Sequence, residues 1–204
     1  MSIILKDSDR KYFLEWAESG TQSGVLQLKT FDYVASGNKV ILQLANTIDI
    51  GGSAFGSPIY ISAYDTTDQT QLTAGASASM KYNTVAESNG ISIQSSDKHI
   101  VFDYAGTYNI AFSAQLDQSS GASHHIYIWL SVNGIDVPYS ANEVAIQGST
   151  AELIAAWNFV YTFAAGDYAE IKWSVDNTAA YIKQQAATGV VPAIPSVILT
   201  VWKI

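Results

Sequence analysis

No cysteine occurs among the 204 residues, so neither a disulfide nor a thiolate metal site can form, and robustness must come from packing or assembly. Charge is scarce as well. Asp, Glu, Lys and Arg make up 14% of the chain, against about 25% in an ordinary soluble domain. The balance leans one way: 10 Lys and Arg against 18 Asp and Glu give a formal net charge of −8. Such a surface repels phosphate backbones and argues against nucleic acid as a partner. No run of about 18 or more apolar residues is present, so no membrane insertion by a helix is expected. The opening "MSIILKDSDRKYF" has too short an apolar stretch, and charges in the wrong place, for a secretory leader. Synthesis in a cytoplasm without export is the expectation. There is no Asn-x-Ser/Thr sequon either, which disfavours a glycosylated secreted protein.

What is abundant is apolar and aromatic: 48% and 12% of the residues. From about Ser57 onward they fall into short runs separated by Gly, Asn, Asp and Ser. "TYNIAFSAQLD" puts Tyr108, Ile110, Phe112, Ala114 and Leu116 on one face and Asn109, Ser113 and Gln115 on the other, the period of a half-buried antiparallel strand. "AEIKWSVD" alternates in the same way. Three further runs, His125–Val132, Leu153–Phe163 and Ser196–Ile204, are apolar on both faces. A second apolar face calls for another sheet, a partner subunit or a ligand. Asn133-Gly134 and Ala165-Gly166-Asp167 stand where hairpin turns are needed. The predicted class is an all-β antiparallel jelly-roll sandwich over residues 57–204.

The first 50 residues read differently, as a small N-terminal appendage containing a short helix, a hairpin, or both. "DSDRKYFLEWAESG" suggests a helix capped by Asp7 or Ser8 and stopped at Gly20. "VLQLKTFDYVASGNKVILQL" suggests two strands around an Ala-Ser-Gly-Asn turn. The glycine-rich stretch from Asn46 to Pro58 is the predicted boundary.

The stretch "FDYAGTYNIAFSAQL" places Phe102, Gly106 and Tyr108 as an aromatic, a glycine and an aromatic leading into a core strand. This resembles the tumour necrosis factor and complement globular-head superfamily. "IYIWLSVNGIDVPYS", "NFVYTFAAGDYAEIKW" and the final "PSVILTVWKI" follow in that superfamily's order. The wording of these segments looks most like jelly-roll virion proteins of tailed bacteriophages, of cyanophage type. The resemblance implies a ten-stranded jelly roll that trimerises around a threefold axis, with aromatic and aliphatic faces buried there; separately, no cofactor is expected. The sequence departs from the animal families in showing no collagen stalk, no membrane anchor and no cysteine, which counts against an expectation of signalling and suits a virion component attached by its own N-terminal segment.

The reading is therefore a non-enzymatic phage virion structural protein, a homotrimer made in the host cytoplasm, whose head projects for host-surface adhesion. Capsid decoration is the alternative; a secreted bacterial binding module and a polysaccharide-degrading enzyme rank lower. Trimer contacts are expected from Tyr127, Trp129, Trp157, Phe159, Tyr161 and Trp202. Attachment to another virion protein through residues 1–50 is expected from Tyr12, Phe13, Leu14 and Trp16. Contact with a host glycan or protein is expected from the loops carrying Ser119, Ser120, Tyr139, Asn142, Tyr181 and Lys183. No catalytic, cofactor or metal residues are assigned. Gly51-Gly52-Ser53 lacks the second glycine of a nucleophile elbow, because position 55 is Phe. His124 and His125 are neighbours on a strand and point to opposite faces, so they do not jointly hold a metal.

Overall fold

In a computed structural model the chain divides into two compact units, Met1–Ser57 and Pro58–Ile204. The structure describes residues 58–148 and 152–204 in full, and before residue 58 the backbone of six strands. Of these six, β1 (Ser2–Asp7), β2 (Arg10–Trp16), β3 (Leu26–Phe31) and β4 (Asn38–Leu44) form an antiparallel meander. β5 (Ile48–Ile50) and β6 (Ser53–Phe55) make a separate hairpin.

The helix expected around residues 7–20 is a strand instead. β2 pairs on both sides, with Tyr12 opposite Leu5 and Thr30, and Leu14 opposite Ile3 and Leu28. Asp7 and Ser8 resemble a helix cap, but Tyr12, Leu14 and Trp16 recur at period two, and aromatic residues fit a pleated surface better than a helix. Two partner strands decided what local capping chemistry could not. The two strands expected around residues 35–38 are β3 and β4, with Phe31 opposite Asn38.

The second unit is a sandwich of two antiparallel sheets. One, here the polar sheet, runs β10 (Ile91–Gln94), β11 (His99–Phe102), β17 (Tyr168–Val175), β13 (Ser123–Val132), then β15 (Asn142–Gln147). The short strands β8 (Ala78–Ser79) and β14 (Ile135–Asp136) extend it. The other, the neutral sheet, runs β16 (Leu153–Phe163), β12 (Gly106–Gln118), β19 (Val197–Lys203), β7 (Tyr60–Asp65) and β9 (Thr84–Asn89), with β18 (Ala180–Ile182) beside the end of β12. Consecutive strands repeatedly cross between sheets, as a jelly roll requires.

The alternation read from "TYNIAFSAQL" is realised. Tyr108, Ile110, Phe112, Ala114 and Leu116 are buried, and Asn109, Ala111, Ser113 and Gln115 are not. From the facing sheet β13 and β17 contribute Ile126, Ile128, Ile171 and Trp173, and β19 beside β12 adds Leu199 and Val201 to the same core. The aromatic–glycine–aromatic signature closes one end of this core. Phe102 stacks on Phe163 with centroids 3.9 Å apart and meets Tyr108 at 4.6 Å. Gly106 between them has φ +153°, a conformation side chains with a Cβ rarely adopt. Asn133 and Gly134 both have positive φ, the type I′ hairpin geometry that joins β13 to β14 without splaying the strands.

Candidate functional site

The two sheets turn very different outer faces to their surroundings. On the neutral sheet, strand register lines up three rows across four strands. They are Tyr60, Trp202, Asn109 and Val160; then Ser62, Thr200, Ala111 and Asn158; then Tyr64, Ile198, Ser113 and Ala156. All twelve stand out of the core and remain partly or fully exposed. None carries a charge. Asn158 Nδ2 donates to Asn109 Oδ1 at 2.6 Å. The centre of this face is small (Ala111, Ser113, Ala156), with Trp202 and Ile198 at 40% and 41% exposure beside it. Charge appears at the margin, where Glu87 of β9 stands opposite Ser62.

Along the β16 edge, Trp157, Phe159 and Tyr161 point to the sandwich side, opposite Phe112, Ile110 and Tyr108. The edge leaves them half-buried, with Trp157 edge-on to Phe112 at 4.8 Å. The indole N–H of Trp157 is buried without a partner among the described residues.

The outer face of the polar sheet carries ionisable groups and aromatic rings together. His125, Tyr127 and Trp129 follow one another at period two along β13. Tyr127 faces Glu143 on one side and Ser174 on the other, and Trp129 faces Lys172. Beside them lies a hollow of about 420 Å³ lined by Tyr127, Trp129, Asp136, Val137, Tyr139 and Ser174. The Trp129 indole N–H donates to Asp136 Oδ1 at 2.7 Å, which fixes the ring. Lys172 Nζ donates to the Ser79 hydroxyl at 3.3 Å, and that hydroxyl donates to Glu170 at 2.5 Å.

At the end of β13 the two histidines share a carboxylate. Asp176 accepts from the His125 backbone N–H at 2.9 Å and lies 2.8 Å from His125 Nδ1, while His124 Nδ1 is 3.8 Å away. Burial alone would raise the pKa of Asp176, but the His125 bonds overcome it and hold the carboxyl below the usual range. The Ser120 hydroxyl sits 2.6 Å from His124 Nε2. Ser120, His124 and Asp176 thus form a line that the sequence did not reveal, because it joins two loops. The line does not make an oriented triad. Asp176 gives its short contacts to His125, and 3.8 Å is beyond a hydrogen bond to His124.

The residues expected to form trimer contacts do not share one surface. Tyr127 and Trp129 lie outside the polar sheet, Trp202 outside the neutral sheet, and Trp157, Phe159 and Tyr161 at the edge between. The expected contact loops also separate. Tyr139 is fully exposed and Asn142 begins β15 nearby. Ser119 and Ser120 lie in the loop after β12, Tyr181 lies within β18 opposite Asp117, and Lys183 directly follows β18. There Lys183 is bound to Asp117 at 2.5 Å and Glu152 at 3.0 Å, and the Tyr181 hydroxyl reaches Asp117 at 3.3 Å. Burial alone would raise the pKa of Asp117, and hydrogen bonds led by Lys183 lower it instead. Lys183 is raised by the same two carboxylates. Tyr12, Phe13, Leu14 and Trp16 lie on β2, with side chains outside the described residues.

No family model matches the chain, and no curated protein does. Among solved structures it is similar to the globular domain of zebrafish complement 1qA protein, at 14% identity and a TM-score of 0.46, over 72% of this chain and 98% of that one. It is also similar to murine APRIL, at 10% identity and a TM-score of 0.47, over 72% of this chain and 100% of that one. At these identities no residue role passes from either protein to this chain.

Proposed function

We propose that the chain is a non-enzymatic binding module that works as a homotrimer. In this reading unit 58–204 is the head, presented from a phage virion for adhesion to a host surface, and residues 1–50 dock on another virion protein. The observation that carries the reading is the uncharged outer face of the neutral sheet. Twelve partly exposed residues without one charge are unusual in a chain whose net charge is −8, and interface cores are depleted of charge in the same way. Half-buried Trp157, Phe159 and Tyr161 on the neighbouring edge supply apolar bulk that the small centre, Ala111, Ser113 and Ala156, can receive. Edge-to-face contact is heterologous, and a heterologous contact that closes makes a ring. Adhesion is favoured over decoration because covering the neutral face leaves the aromatic hollow of the polar sheet outside.

The test is the mass of the purified chain by light scattering on a sizing column. Three chains, unchanged on dilution, is the expected result, and a monomer overturns the trimer. Adhesion is tested separately: soluble protein is expected to bind host cells and compete with infection. Binding to particles alone, without competition, would identify decoration instead.

A further inference from the structure

Tyr139 combines two features that nothing among the described residues repays. It occupies the third position of the turn Val137–Ser140, closed by the Ser140 N–H to the Val137 carbonyl at 3.4 Å, with Pro138 before it. Its φ is +62°, the left-handed conformation that this turn position reserves for glycine or asparagine. A tyrosine there costs on the order of 1 kcal/mol. Its side chain is also fully exposed, so no burial offsets that cost.

The turn is rigidly mounted. The Ser140 hydroxyl donates to the Val137 carbonyl at 2.8 Å and accepts from the Leu130 N–H at 3.1 Å, and the Val137 N–H donates to the Leu130 carbonyl at 2.9 Å. Strain held on a rigid base, at the rim of a hollow lined by Tyr127 and Trp129, is the pattern of a functional position.

We propose that this hollow binds neutral, hydroxyl-rich carbohydrate. This rests on reading the chain as a binding module and names its ligand class. The ring faces of Trp129, Tyr127 and Tyr139 suit the C–H faces of pyranose rings, and their rigidity keeps the ordering cost low. Asp136 Oδ2 takes no hydrogen bond among the described residues, although Oδ1 is used by Trp129. It and the Ser174 hydroxyl can pair with sugar hydroxyls. The volume, about 420 Å³, is within the usual range for a small-ligand site, about 300–1,000 Å³. Charge selects the class. Asp136, Glu143 and Asp176 lie on this face, and the Lys172 ammonium beside Trp129 is turned to Ser79. Phosphorylated, sulfated or uronic-acid ligands are disfavoured there.

The experiment uses the full chain in native gels containing dextran, galactomannan or mixed-linkage β-glucan, with polygalacturonate as the acidic comparison and free choline as a cationic competitor. At least one neutral polysaccharide is expected to retard the wild type and shift its tryptophan fluorescence, and choline should not relieve the retardation. Y139G is expected to weaken binding at least tenfold while its melting temperature is unchanged or higher, because glycine relieves the strain. W129A is expected to abolish binding. Absence of retardation by all three neutral polymers, retardation by polygalacturonate alone, relief by choline, or undiminished binding by Y139G would each overturn the site. If Y139G still adheres to host cells with its trimeric mass intact, the carbohydrate site falls and the binding-module reading stands.

Discussion

Two outer faces of one sandwich, backed by the same core, differ in nearly every side-chain property. The neutral sheet presents three rows of Tyr, Trp, Ile, Val, Ala, Ser, Thr and Asn without a charge. The polar sheet presents His125, Glu143, Lys172 and Asp176 around exposed aromatic rings. Both face outward and both satisfy the same core, so folding within the sandwich does not require the difference. It is explained if the first face meets other copies of the chain and the second meets ligand.

The comparison breaks most sharply at the centre of the neutral face. A111R places a charge among Thr200, Asn158 and the small residues around them, and the light-scattering mass is expected to fall from three chains to one. An unchanged mass with A111R would remove that face from the assembly. W157A should act at the edge. It removes a half-buried ring that meets Phe112, costs about 2 kcal/mol in urea unfolding, less than the ~3–5 of a fully buried aromatic, and makes the mass fall on dilution. D176N on the polar face should cost about 1 kcal/mol, since its bonds to His125 are charge-assisted but partly exposed to water. The folded pKa of Asp176 is depressed, so the wild type holds this contribution at neutral pH and loses it as pH falls below the unfolded value of about 3.9. D176N should lose less stability over the same acid window, read from melting temperatures between pH 7 and pH 2. Y127R, also on the polar face, is expected to leave the mass unchanged and the unfolding free energy within about 0.5 kcal/mol.

The sequence carried information about faces better than about sheets. Alternation in "TYNIAFSAQL" told which side chains of β12 enter the core, because period two is fixed by the backbone itself. Asn133-Gly134 told where β13 turns, because both residues tolerate positive φ. The three doubly apolar runs were recognisable as having a second apolar face, but not where that face goes. β13 turns its second face out from the polar sheet, β19 turns its own out from the neutral sheet, and β16 stands at an edge. Those destinations depend on pairing between strands distant in sequence, such as Gly106 with Phe163, for which local pattern gives no sign. β2 escaped for a related reason, since its partners outweigh a capping signal. The strain at Tyr139 was also hidden: its turn residues, Val-Pro-Tyr-Ser, give no hint that the third sits where glycine belongs.

Within residues 58–204 the first and last strands of the sandwich lie side by side. Tyr60 stands opposite Trp202, and the Lys203 N–H donates to the Ile59 carbonyl at 3.0 Å, so the first and last strands are hydrogen-bonded neighbours. The loop between β12 and β13, and the start of β16 where Leu153 stands opposite Leu116, lie at the other end, the length of β12 away. A segment whose two attachment points are adjacent is a natural unit of exchange. Recombination that exchanged residues 58–204 would carry the core and the loops built on it together. An exchange of this kind would move a whole hollow at once, where point substitution would have to rebuild it residue by residue.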